Sequence, residues 1–250
     1  MKFILSTFVA CIAAFSTYAQ NAPTDSDTLK ARKNNWATEL NINPFKGELS
    51  LNNSLNQIKF RKFIADNFAL RLGFNANRIG STIESGSPYG TTPTIIKNER
   101  SSTTVGLNFG IEKHLSGTRR LSPYLGADLA FVDKSSNQEL TNGSNKTTIK
   151  GAWRTSNYVP GPNGGYQQID ESEEAYFSYG INLTSGFDFY ISRHFFFGYE
   201  FSFGFNSIKF KDIEVTNSGS TSNNTFSDSK NTAFHFGSNL FNGIRLGYVL

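Results

Sequence analysis

Residues 234–250 read FHFGSNLFNGIRLGYVL, and a large apolar side chain occupies nearly every second position. The even-numbered positions are mostly aromatic or branched aliphatic, whereas the odd-numbered positions are mostly glycine or polar and include Arg245. Successive residues of a β-strand point to opposite faces. The pattern therefore predicts a strand with one apolar face and one polar face.

Seven further stretches alternate in the same way, which gives an even total of eight predicted strands. They cover residues 36–43, 57–64, 68–77, 103–112, 123–132, 177–189 and 195–206. Long polar connections are expected to form loops and to alternate with short turns. The long connections are Pro44–Ser54, Ile79–Ser101, Asp133–Glu174 and Ser207–Asn231, and the short turns lie at Asp66, Ser116 and Ser192.

The row of aromatic residues from Phe195 to Phe205 indicates which face points outward. If this row and its seven counterparts pointed inward, they would overfill an eight-stranded barrel, whose interior is just wide enough for side chains. A membrane barrel turns such a face toward lipid and keeps the polar face in the lumen. Closure also removes both sheet edges, which hydrocarbon does not tolerate. The predicted fold is therefore all-β, a closed eight-stranded antiparallel transmembrane β-barrel.

The composition agrees with this class and excludes others. The chain holds 24 Phe, 10 Tyr and 22 Gly, with a mean hydropathy of −0.36, and no long apolar run that would form a membrane helix. The net charge of +4 is too small to indicate nucleic-acid binding. The single cysteine, Cys11, excludes an internal disulfide.

The N-terminus carries the features of an export signal: a basic start, a short apolar core and a small-x-Ala end at Thr17-Tyr18-Ala19. We expect a signal peptide at residues 1–19, cleaved after Ala19, then a disordered lead-in at 20–35 and an outer-membrane barrel at 36–250. Two alternatives remain open. One is an uncleaved membrane anchor, for which the apolar core is short, and the other is a lipoprotein cut before Cys11.

Residues 122–127, SPYLGA, and the alternating C-terminus with Tyr248 and Leu250 resemble the OmpA/OmpX-type eight-stranded outer-membrane barrels. The version in question is common in the Bacteroidota and is often labelled porin family or outer-membrane β-barrel protein, and the resemblance covers about residues 36–250. It implies insertion by the outer-membrane assembly machinery and contact with lipopolysaccharide. It implies no particular activity.

The polar faces carry charges of both signs, so the lumen is expected to contain ion pairs. The charged residues are Glu39, Arg61, Arg71, Glu112, Asp128, Asp188, Glu200 and Arg245. We predict a lumenal charge cluster of Glu39, Arg71, Asp128, Glu200 and Arg245, with Glu39, Glu200 and Arg245 at similar heights. Buried charges must be paired. The cluster fits a plug of structural salt bridges or, alternatively, a gate for small ions.

Aromatic residues near the strand ends are typical of the girdles at the two membrane interfaces. The predicted lower girdle comprises Trp36, Phe68, Phe195 and Tyr248, and the predicted upper girdle comprises Phe131, Phe177, Phe205 and Phe234. A carbohydrate-stacking surface is the alternative.

The histidines give little support for an enzyme. His114 and His194 fall in predicted short turns, where solvated histidines are ordinary. His235 and Ser238 lie three residues apart on one strand and hence on opposite faces. No phosphate-binding loop or metal-ligand spacing occurs, so no cofactor is expected.

We therefore expect a monomeric outer-membrane barrel with a structural or binding role through its long extracellular loops. Its expected partners are outer-membrane lipids, lipopolysaccharide, the assembly machinery and an extracellular ligand. A narrow passive pore and a soluble periplasmic binding barrel are the alternatives.

Overall fold

A computed structural model describes residues 28–42, 55–86, 95–160, 166–218, 224–226, 232–239 and 244–250. Within these ranges the chain is all-β, and no helix is long and apolar enough to cross a membrane. The strands are β1 (Trp36–Ile42), β2 (Leu55–Ala65), β3 (Phe68–Gly86), β4 (Ile95–His114), β5 (Leu121–Asn142), β6 (Asn145–Lys150), β7 (Ala152–Pro160), β8 (Tyr166–Glu174), β9 (Tyr176–Tyr190), β10 (Phe195–Phe210), β11 (Ile213–Asn217), β12 (Asn224–Phe226), β13 (Thr232–Asn239) and β14 (Ile244–Val249).

Eight antiparallel positions close into a ring. The order is β1, β2, β3, β4, β5, β9, β10 and then a last position shared by β13 and β14. The ring closes where β14 pairs with β1, for example Leu246 with Leu40. The predicted closed eight-stranded antiparallel barrel is thus confirmed. The stretch 234–250 is described as two strands, and residues 240–243 between them lie outside the described residues.

Three predicted long loops are largely strands instead. Most of Ile79–Ser101 continues β3 and β4, which pair from Ile79 with Ser102 to Gly86 with Ile95. Asp133–Glu174 extends β5 and adds β6 and the β7–β8 hairpin, and Ser207–Asn231 extends β10 and adds β11 and β12. These segments are polar on both faces, so they lack hydrophobic alternation, but serine- and threonine-rich chains still form ladders when neighbouring strands pair with them. The fourth predicted loop, Pro44–Ser54, lies outside the described residues.

The opposite end of the barrel carries the short turns and a packed N-terminal segment. Residues 28–35, predicted to belong to a disordered lead-in, instead lie against this end: Ala31 is buried with Phe63 and Phe196. The backbone N–H of Asn34 donates to the Phe63 carbonyl at 2.8 Å. The segment is mostly polar, so its composition does not indicate that its two apolar residues, Leu29 and Ala31, pack against the barrel end. The predicted signal peptide and residues 20–27 lie outside the described residues.

Candidate functional site

The two faces of the barrel strands differ sharply in exposure. Along β10 the row from Phe195 to Phe205 points outward, with side chains 37–56% exposed, whereas Phe196 and Glu200 on the alternate face are buried. On β14 the outward Leu246 is 48% exposed and the inward Arg245 is 0% exposed. The apolar face is therefore on the outside and the polar face fills the interior, as the alternation predicts.

Arg245 joins three strands inside the ring. Its guanidinium forms ion pairs with Glu39 of β1, where its Nε lies 3.2 Å from Oε2, and with Glu200 of β10, where Nη1 lies 3.4 Å from Oε2. It also contacts Asp188 of β9, with Nη2 3.3 Å from Oδ1. The structure thus brings together the three residues that the strand register placed at similar heights.

Arg71 of β3 holds the other members of the predicted cluster. Its Nε lies 3.1 Å from Oδ1 of Asp128, and its Nη2 donates to both oxygens of Glu200 at 2.9 Å. A contact with Glu112 at 3.4 Å extends the network. All five predicted cluster residues therefore belong to one connected set of ion pairs.

Arg61 of β2 is, like Arg245, a fully buried cation of the interior. Its Nη1 lies 2.8 Å from Glu112 and 2.7 Å from Asp188, and its Nη2 lies 3.3 Å from Glu39. The guanidinium also lies 4.7 Å from the centre of the Phe196 ring. Three carboxylates on three different strands thus share this cation, and each of them also pairs with at least one other cation of the network.

Arg61, Glu112 and Asp188 were predicted as lumenal charges outside the cluster, whereas two further residues of the network were not predicted at all. Lys59 of β2 lies 2.8 Å from Glu200 and 3.6 Å from Glu39. Tyr124 of β5 donates its hydroxyl to Glu200 at 2.6 Å and also contacts Arg245. Both occupy polar-face positions of their strands, and that position was the only signal in the sequence for either residue.

Inward-facing glycines give the long charged side chains their space. A Cβ at Gly126 would lie 2.7 Å from Oγ1 of Thr184 and 3.4 Å from Nη1 of Arg71. Glycine at this position therefore lets the Arg71 guanidinium lie flat against the wall. The recurrent glycines of the polar face reflect this packing requirement.

The charge network closes the bore at its level. Water does not reach the side chains of Arg61, Arg245, Glu112 and Asp188, which are all 0% exposed. Four cations face five carboxylates in the described part of the network, so most charge is compensated internally. Paired charges of this kind are tolerated in an interior, whereas unpaired ones are not. The arrangement is that of a plug.

His114 is buried rather than solvated, in contrast to its predicted place in an exposed turn. Its Nδ1 lies 2.8 Å from Ser122 Oγ, and its Nε2 lies 3.0 Å from Glu112 Oε1. The order serine, histidine, carboxylate is that of hydrolase triads. Ser122 is only 3% exposed, so a substrate cannot reach its hydroxyl. The three residues form a buried hydrogen-bonded set that joins the charge network through Glu112.

The other histidines form no comparable group. His194 places Nδ1 2.9 Å from the Val249 carbonyl oxygen and stacks on Tyr248 at 5.7 Å. The side chain of His235 is exposed on β13. Among the described residues, no group of three or more histidine, cysteine or acidic side chains is arranged to hold a metal ion.

The predicted girdle residues mostly lie on the outer wall. Seven of the eight are exposed, and Phe68 is half-buried. At the lower end the rings of Phe195 and Tyr248 pack edge to face at 4.9 Å. At the upper end Phe205 and Phe234 lie 4.3 Å apart. These contacts join neighbouring strands across the wall of the barrel.

The parts of β3, β4 and β5 beyond the apolar wall form the extended sheet. The β7–β8 hairpin contacts this sheet through hydrogen bonds and ring stacking. Trp153 Nε1 donates to Ser102 Oγ at 2.7 Å, and its ring stacks under Arg100 at 4.9 Å. Within the hairpin, hydrogen bonds from Ser156, Gln168 and Arg154 lower the pKa of Asp170. The ion pair between Arg154 and Asp170 therefore persists below the usual aspartate pKa of about 3.9.

No protein-family model matches the chain, and no curated protein matches it. The solved structures that are similar include the N-terminal β-barrel domain of Pseudomonas aeruginosa OprF, with a TM-score of 0.36 and 12% identity over 88% of this chain and 100% of that chain. They also include the outer membrane protein OprG from Pseudomonas aeruginosa, with a TM-score of 0.40 and 10% identity over 90% of this chain and 99% of that chain. The chain is similar to both barrels over nearly its whole length.

Proposed function

We propose that this chain is an integral outer-membrane β-barrel with a closed bore, whose role is structural or lies in binding through the sheet above the barrel. The observation that carries the proposal is the outward apolar face beside a fully buried charge network. A water-soluble barrel would place these two surfaces the other way round, because apolar area left in water is unfavourable.

The height of the apolar wall fits a bilayer. The outward row of β10 runs from Phe195 to Phe205. At about 3.3 Å per residue and a tilt of roughly 35–45°, such a row rises roughly 23–27 Å, which matches the apolar band of about 25 Å on outer-membrane barrels. The hydrocarbon core of a bilayer is about 30 Å thick.

The two ends of the barrel suggest its orientation. Asn35 and Leu250, close to the two ends of the described chain, meet at the end with the short turns, where Asn35 Nδ2 donates to the Leu250 carbonyl at 3.2 Å. The long strands and the β7–β8 hairpin project from the other end. Outer-membrane barrels place short turns in the periplasm and longer segments outside, and the predicted export signal at residues 1–19 agrees with this address.

The extended sheet is the part available for a partner. It presents the polar outer residues of β3, β4 and β5, and a groove of about 410 Å³ lies between Arg78, Glu99 and Glu139. The proposal involves no catalytic chemistry, which agrees with the burial of Ser122. The partners we propose are outer-membrane lipids including lipopolysaccharide, the assembly machinery during insertion, and an extracellular ligand for a monomeric barrel.

The wild-type protein is expected to pass no measurable current in a planar bilayer, because the plug side chains leave no water-accessible space at their level. An Arg245→Ala variant is expected to remain equally silent, since Arg61 and Tyr124 still fill the bore. Folding of both proteins is checked by the gel mobility of unheated samples. Discrete conductance steps in the wild type, increased by Arg245→Ala, would instead support the narrow pore or the ion gate.

A further inference from the structure

We propose that the end of the barrel with the short turns, the closed end, carries a cationic rim. This rim binds the phosphate groups of anionic phospholipids in the adjoining leaflet. The cationic rim comprises residues 28–35, 62–67, 113–120 and 190–194. This inference rests on the proposed insertion into a membrane, and the experiment below separates failure of one from failure of the other.

Positive charge is concentrated at this end of the molecule. The rim holds eight lysines and arginines: Lys30, Arg32, Lys33, Lys62, Lys113, Arg119, Arg120 and Arg193. Against them stand only Asp66 and the carboxylate of Leu250 within the described residues of this end. The overall net charge is just +4, so the rim accounts for more than the entire excess.

The cations at the opposite end are neutralised by close neighbours. Five of them form ion pairs with acidic side chains at distances of 2.9 Å or less. The pairs are Lys97 with Glu99, Lys134 with Glu173, Lys146 with Glu139, Arg154 with Asp170 and Lys211 with Asp133. The described residues above the barrel contain nine lysines and arginines and ten acidic residues. The upper end is therefore close to neutral, whereas the rim is cationic.

Lys62 is held by contacts with uncharged groups. Its Nζ lies 4.6 Å from the centre of the Trp36 ring and donates to the carbonyl of Asn34 at 2.8 Å. Neither contact carries a negative charge. The one aspartate of the rim, Asp66, accepts the backbone N–H of Lys33 at 2.8 Å.

The rim lies at the level where lipid headgroups are expected. Lys62 pairs across the sheet with Trp36, and Lys113 pairs with Phe68. Both lysines continue outward rows, since the neighbouring Phe60 and Ile111 are exposed on the same faces. Tryptophan and other aromatic side chains are enriched at the headgroup level of membranes. Cations at that height can reach lipid phosphates directly.

The attraction should be selective for anionic lipid. Each lysine or arginine near an anionic membrane surface strengthens binding roughly five-fold, and the effect decays within a Debye length of about 8 Å at physiological salt. A zwitterionic surface gives no such gain. The rim thus predicts enrichment of anionic lipid around this end.

The test uses Trp36 as a local reporter in a Trp153→Phe background, which leaves Trp36 as the remaining tryptophan. The protein is folded into vesicles that contain either phosphatidylglycerol or phosphatidylcholine brominated near the headgroup end of the acyl chain. Phosphatidylglycerol is expected to quench Trp36 fluorescence several-fold more effectively at equal bromine content. The preference should fall as salt is raised.

Matched variants identify the source of any preference. K62Q/R193Q should reduce the preference several-fold, K62R/R193K should retain it, and K146Q/K150Q, which removes two positive charges from the other end, should leave it unchanged. Equal quenching by the two lipids in the parent protein, or an equal loss in K146Q/K150Q, would overturn the proposal. Absence of quenching by either lipid would instead overturn membrane insertion itself.

Discussion

Replacing Arg61 with methionine is expected to lower the free energy of unfolding by about 3–5 kcal/mol, which is the usual cost of removing one partner from a buried ion pair. Arg61 contacts Glu39, Glu112 and Asp188 and is itself 0% exposed. Methionine fills much of the same volume, so the loss reports the stranded carboxylates rather than a cavity. Urea titration of protein folded into vesicles, followed by gel mobility, measures the change.

A matched control lies in the β7–β8 hairpin. Arg154 also pairs with an acidic residue, Asp170, but its side chain is 68% exposed. Exposed ion pairs contribute about 0–1 kcal/mol, so Arg154→Met should alter stability by less than about 1 kcal/mol. If both variants lost the same small amount, the interior would be hydrated and the description of a dry, ion-paired plug would be wrong.

An arginine on the outer wall should be costly only in the middle of the bilayer. Phe201 lies near the middle of the apolar row of β10 and is 43% exposed, and Phe201→Arg is expected to cost about 2–4 kcal/mol in vesicles. Phe195 lies at the lower end of the same row, and Phe195→Arg should cost about 0–1 kcal/mol because its charge reaches the interface. The same urea titration measures both.

The difference in stability loss between these two variants tests whether the barrel is inserted in the bilayer. On a barrel surrounded by water both positions would be ordinary exposed sites, where substitutions usually change stability by less than about 0.5 kcal/mol. Equal, small effects at Phe201 and Phe195 would therefore contradict insertion. A large effect at Phe195 alone would place the bilayer lower on the wall than the girdle residues indicate.

The barrel was predictable because one physical rule governs its strands. Wherever lipid-facing and interior residues alternate, as from Phe195 to Phe205, the sequence carries a period of two that marks strand and face together. Beyond the apolar wall the strands are polar on both faces, and the rule no longer applies. The pattern therefore predicts loops at residues 79–101 and 133–174, whereas most of the described residues in these ranges form strands.

The sequence predicts which residues face the interior better than it predicts the contacts between them. Alternation identified Glu39 and Arg245 as inward-facing, but the pattern could not show that Lys59 and Tyr124 reach Glu200. Such contacts depend on the stagger of neighbouring strands. His114 was assigned to a turn because the sequence did not show that β4 continues to that residue.

The alternation of apolar and polar residues also does not predict that the N-terminal segment is buried at the closed end. Residues 28–35 contain no alternation, and only two of them, Leu29 and Ala31, are apolar. Their place is set by the barrel end they cover, where Phe63, Tyr190 and Phe196 form a small apolar cluster. A local reading of polar composition therefore predicted disorder.

The central claim is that the aromatic row of β10 faces lipid. A nitroxide attached at Phe201→Cys in the mature protein, from which cleavage would have removed Cys11, tests it by collision with two paramagnetic reagents in vesicles. The account predicts frequent collisions with oxygen, which concentrates in hydrocarbon, and rare collisions with a water-soluble nickel chelate. Frequent collisions with the chelate, or rare collisions with both reagents, would contradict the account, since position 201 would then face water or the packed centre of the molecule.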